Sequence, residues 1–116
     1  MGQVRTIKGQ VRFVEPLVAP GGTLHVRVED VSRTDAASRV VAETSIRLDN
    51  PVPAGGDIPF ELAVPDVDDR AHYSVRVHVD INSSNEVTPG DRISTAAYPV
   101  LTRGHPNSVI VKAQKI

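Results

Sequence analysis

Between Tyr73 and Asp80 the chain alternates without a fault: Tyr73, Val75, Val77 and Val79 fall on one parity, and Ser74, Arg76, His78 and Asp80 on the other. A period of two over that length predicts a strand with one buried face. The same pattern recurs along the chain. Ile7, Val11 and Phe13 share a parity between Gln3 and Val14, with Gly9 marking a bulge or bend. From Thr23 to Asp30, Leu24, Val26 and Val28 oppose His25, Arg27 and Glu29. A third strand is expected over Arg39 to Leu48, with an ambiguous core face. Ile58, Phe60, Leu62 and Val64 make a fourth, which Pro65 is expected to stop before an acidic turn at Asp66 to Asp69. After the Tyr73 strand come Arg92 to Tyr98, closed by Pro99, and finally Val109 to Ala113.

Turn signals separate these runs: Pro20-Gly21-Gly22, the two prolines and two glycines from Pro51 to Gly56, Pro89-Gly90, and Arg103-Gly104. No stretch has useful helical periodicity. The expectation is an all-β fold, a single-domain antiparallel β-sandwich of about seven strands, with a partly closed barrel as the alternative. The 116 residues suit one core, and valine dominates the apolar set as a pleated, half-buried surface requires.

Charge and composition narrow the function. A net charge of -1 with 3% aromatic residues speaks against nucleic acid, which needs a clustered positive surface and stacking platforms. The absence of cysteine excludes disulfides, thiolate zinc sites and cysteine nucleophiles. No apolar run reaches the roughly 18–20 residues needed to span a bilayer, so membrane insertion by this chain is not expected. Met1 to Thr6 matches the loose N-myristoylation pattern, and Asn82-Ser83-Ser84 is a glycosylation sequon that matters only in a secreted eukaryotic protein.

One connection carries ligand chemistry. Calcium takes six to eight oxygens, and an EF-hand loop supplies them from positions 1, 3, 5, 7, 9 and 12. With Asp80 first, Asn82, Ser84, the Glu86 carbonyl, Thr88 and Asp91 fall on those positions. Ser84 is neutral where Asp is usual, and Asn85 replaces the turn glycine. With two carboxylates the affinity would be weak, ~0.1–1 mM. The competing reading is a long hairpin connection whose Asp, Asn and Ser side chains bond their own backbone.

Other constellations are weaker. His72 and His78 share a face but stand about 20 Å apart, too far to share a metal, while His25 could approach either from a neighbouring strand. Asp66, Asp68 and Asp69 read as solvated turn acids. No Gly-x-Ser-x-Gly elbow orders a serine, histidine and aspartate, and no catalytic residue or cofactor is assigned. Tyr98 to Arg103 reads as a closing strand and turn, or as an apolar edge with an arginine anchor.

Three runs carry a resemblance: Leu24 to Arg33 (LHVRVEDVSR), Tyr73 to Asp80 (YSVRVHVD) and Ala97 to Pro106 (AYPVLTRGHP). In order and over nearly the whole length, they resemble the YbaY-type bacterial lipoproteins grouped with the YscW-type pilotins of type III secretion. The resemblance implies a small β-sandwich tethered to the cell envelope through a lipidated cysteine, and in pilotins a role in binding a secretin subunit and escorting it to the outer membrane. This chain has no cysteine for such an anchor. The expectation is therefore an envelope or periplasmic protein whose export signal precedes the sequence, or an unanchored, cytoplasmic member. The functional expectation is a non-enzymatic accessory module. It would hold a protein partner at an exposed strand edge or in the groove between sheets, with a calcium-stabilised structural module as the alternative.

Overall fold

A computed structural model describes residues 3–18, 22–33, 37–82 and 86–116. Its elements are β1 (Gln3–Phe13), β2 (Gly22–Asp30), β3 (Arg39–Leu48), β4 (Asp57–Val67), β5 (Tyr73–Asp80), β6 (Arg92–Ser94), β7 (Pro99–Val100) and β8 (Ser108–Lys115). The fold is all-β, as the alternation predicts. The strands form one sheet in the order β3-β2-β5-β6-β8-β1-β4, with β7 paired to β5 off that path. The sheet rolls until its end strands, β3 and β4, pack against each other without pairing, which gives a nearly closed barrel. All pairs are antiparallel except β1 with β8, which run parallel. No helix among the described residues is long and apolar enough to cross a membrane.

The inward parity matches the sequence pattern. Ile7, Val11 and Phe13 of β1, Leu24, Val26 and Val28 of β2, Val64 of β4, Val75 and Val79 of β5, and Val111 and Ala113 of β8 are all fully buried in one core. Gly9 does not bend β1. It lies on the inward parity, where a side chain would collide with Phe60 and the Val109 carbonyl. The ambiguity of β3 has a structural cause. Val41 is an extra residue opposite the Val28–Glu29 step, and this bulge switches parity, so Ala42, Thr44, Ile46 and Leu48 face the same way as Val28 to Gly22. As an end strand, β3 also buries only Leu48 outright.

Two boundaries differ from expectation. β4 runs through Pro65 to Val67, because a bulge at Pro65 and Asp66, with Asp66 at φ 53, lets the strand resume pairing at Gln3. The acidic turn thus begins only at Asp68, and Val67 is a core residue. The strand expected over Arg92 to Tyr98 breaks after Ser94, and Pro99 opens β7 instead of closing the segment. Side chains bridge the break: the Val77 N–H donates to Ser94 Oγ at 3.0 Å and the Tyr98 N–H to Ser74 Oγ at 3.2 Å.

Candidate functional site

The connection between β5 and β6 is built around Asp91. Its carboxylate is fully buried, and the strand return brings it back beside the end of β5. Oδ1 accepts the Ile81 N–H at 3.1 Å, and Oδ2 accepts the Thr88 N–H at 3.1 Å and meets His78 Nε2 at 2.7 Å. Burial alone would raise the carboxyl's pKa. The hydrogen bonds from His78, Ile81 and Thr88, with the charge of His78, outweigh it and hold Asp91 below its ordinary value of 3.8. Asp80 is also buried, and its Oδ1 accepts the Asn82 N–H at 3.2 Å. Asn82 Nδ2 donates to Thr88 Oγ1 at 3.0 Å. Of the six expected calcium ligands, Asp80, Asn82, Thr88 and Asp91 are therefore knit into one connection, Glu86 is exposed, and Ser84 lies outside the described residues. No group of three or more His, Cys, Asp or Glu among the described residues is placed to hold a metal.

The tertiary fold brings His25 opposite His78, with ring centroids 6.0 Å apart, and leaves His72 exposed near the far end of β5. His25 Nδ1 lies 2.9 Å from Ser45 Oγ. Ser45, His25, His78 and Asp91 thus form a polar row across β3, β2 and β5. The serine and the aspartate bond different rings, so the row is no Ser-His-Asp relay. Asp66, Asp68 and Asp69 are exposed, with Asp69 paired to Arg5 at 2.9 Å and Asp68 Oδ1 accepting the Arg70 N–H at 2.9 Å.

The feature that bears on partners is the seam between β3 and β4. Each is paired on one side only, β3 to β2 and β4 to β1. Pro59 and Pro65 interrupt β4 and remove donors there. β3 carries no proline over its ten residues and so keeps a full set of backbone donors and acceptors.

A family model described as the type III secretion system lipoprotein chaperone YscW matches residues 3–112. The chain belongs to the YscW family. Its structure is similar to that of an alternative pilotin from the type II secretion system of Vibrio cholerae, with a TM-score of 0.80 at 20% identity over 98% of each chain, a likeness of fold. No curated protein matches. Within the third of the runs that carry the resemblance, Tyr98 to Gly104 form a corner in this YscW-family chain. Leu101, Arg103 and Gly104 are left-handed, at φ 74, 61 and 83. Thr102 Oγ1 donates to the Ala71 carbonyl, and Arg5 Nη1 donates to the Leu101 carbonyl at 2.8 Å. Val100 and Leu101 are buried, and Tyr98 is half-buried with its hydroxyl accepting the Lys112 N–H. The corner thus ties β7 to β1 and to the start of β5. Which strands bound the seam was not read from the sequence; the available signal was the weak apolar alternation of Arg39 to Leu48 beside the proline-interrupted Ile58 to Val64 run.

Proposed function

We propose that this chain is a non-enzymatic accessory protein of the bacterial cell envelope that captures an extended segment of a partner protein along β3, in the manner of a secretion chaperone. The observation that carries this reading is an unpaired, proline-free edge strand in a chain of the YscW family, whose description is that of a lipoprotein chaperone. Strand addition uses main-chain hydrogen bonds for affinity and alternate side chains for specificity, which suits an escort. By resemblance the partner is a secretin subunit.

Successive residues of a strand aim their N–H groups at opposite edges. Of Thr44→Pro and Ser45→Pro, one therefore breaks the ladder to β2 and the other removes a donor from the free edge alone. The variant that keeps the wild-type unfolding midpoint is expected to lose co-purification with the secretin subunit of the same bacterium. Undiminished capture by that variant would sink the edge mechanism.

A calcium-stabilised connection is the second reading: Asp80, Asn82, Thr88 and Asp91 lie in one connection, where an ion would have to displace the N–H donors that their oxygens now accept. An ion bound only to the native state raises the unfolding midpoint. The reading requires a rise in millimolar calcium over EDTA that magnesium does not reproduce and that Asp80→Ala abolishes; identical midpoints in calcium and EDTA would rule it out.

A further inference from the structure

Where the start of β3 meets the end of β4, the seam opens into a cavity of about 560 Å³ lined by Asp30, Ser32, Arg33, Arg39, Asp68 and Arg70, among others. Three arginines line it. Arg5, Arg12, Arg27, Arg47 and Arg76 each pair with a carboxylate. Arg33, Arg39 and Arg70 are exposed, and their guanidinium groups make no ion pair or hydrogen bond among the described residues. The two local acids are turned to nearby donors: Asp30 Oδ1 accepts the backbone N–H and the hydroxyl of Ser32, and Asp68 Oδ1 accepts the Arg70 N–H. The Ser32 hydroxyl bond is the main cause holding Asp30 below its ordinary value of 3.8, against the opposing effect of burial, with smaller help from the Ser32 N–H, Arg39 and His72. Asp30 therefore stays charged at neutral pH.

We infer that this pocket receives carboxylate side chains from an acidic, extended segment of the captured protein. The inference rests on the strand-capture reading and names the chemistry of what is captured. Guanidinium forks match carboxylates and phosphates alike. What favours a polypeptide is the pocket's mixed sign. Asp30 and Asp68 oppose any anion, a carboxylate as much as a phosphate, but their Oδ2 atoms can accept peptide N–H donors, which a phosphate lacks. The position agrees with this, because Arg39 is the first residue of β3 and a strand added along that edge would run past the pocket.

The test uses two short labelled peptides, alternating glutamate–valine and alternating glutamine–valine, with anisotropy as the readout. Because hydrogen bonds to charged groups are stronger than those between neutral groups, the glutamate peptide should bind at least about tenfold tighter. The difference should vanish in Arg39→Gln/Arg70→Gln and shrink in high salt. Both side chains are exposed and make no ion pair or hydrogen bond among the described residues, so the variant's unfolding midpoint should move little. Equal affinity for the two peptides, with binding still blocked by the fold-neutral proline in β3, would overturn the arginine pocket and leave strand capture standing. Failure of the glutamate peptide to bind overturns the proposal, as would arginine-dependent binding to phosphatidylglycerol vesicles without peptide binding, which would make the pocket a membrane contact.

Discussion

Asp91→Ala is expected to lower the stability of the fold by about 3 kcal/mol, the scale of removing a charged acceptor from several buried donors at once. The carboxylate is fully buried and holds Ile81, Thr88 and His78 together, so its loss leaves two amide N–H groups and an imidazole nitrogen facing a void. Asp91→Asn should cost less, since one oxygen remains to accept, while the new NH₂ group faces donors. The effect has a definite pH dependence. The folded-state pKa of Asp91 lies below 3.8, so the native state binds the proton less readily than the unfolded chain does. Its contribution is then complete above the ordinary carboxylate range, near pH 4, and is lost as pH falls through the lowered folded value. Chemical denaturation of wild type and Asp91→Asn across that range should show the stability gap narrowing toward acid. A gap that stays constant would mean that the carboxylate's charge is not what the connection uses.

Gly9→Ala is expected to destabilise by about 2–3 kcal/mol, at the upper end for overpacking, and Gly9→Val to prevent folding. Replacing a strand glycine by alanine ordinarily stabilises by roughly 0.4–1 kcal/mol through the unfolded chain. Here the sign reverses. A Cβ on Gly9 would lie 2.3 Å from the Val109 carbonyl oxygen and 2.7 Å from Cζ of Phe60. Phe60 can yield, but the carbonyl belongs to the backbone of β8, which pairs with β1 through this residue. Phe60→Leu should therefore fail to rescue Gly9→Ala in thermal unfolding. Rescue would place the constraint on the ring rather than on the β1–β8 pairing.

The cores of β1, β2, β5 and β8 were legible because period two reports which face of a strand is buried, whatever its neighbours. Pro65 misled because its meaning depends on a bulge, and a bulge exists only relative to the partner strand, here the Gln3–Arg5 step of β1. The break after Ser94 was hidden for a related reason. Ser74 and Ser94 supply hydrogen bonds that a continuous ladder would have made, and nothing local distinguishes such serines from ordinary outward-facing ones. In the candidate site, the oxygen-rich run from Asp80 to Asp91 was visible. That Asp91 would turn its carboxylate onto Ile81, Thr88 and His78 required the return of β6 beside β5.

The sequence by itself determined an all-β chain, most of its inward-facing residues, several of its turns among the described residues and its kinship with the YscW family, because alternation, prolines and glycines act over a few residues and a family's runs are read in order. The tertiary structure alone decided that β8 lies parallel to β1, that His25 meets His78, that β3 and β4 remain unpaired at a seam, and that Arg33, Arg39 and Arg70 gather at its end. These are contacts between residues far apart along the chain. They follow from how a twisted sheet closes on itself, a property of all its strands together rather than of any one of them.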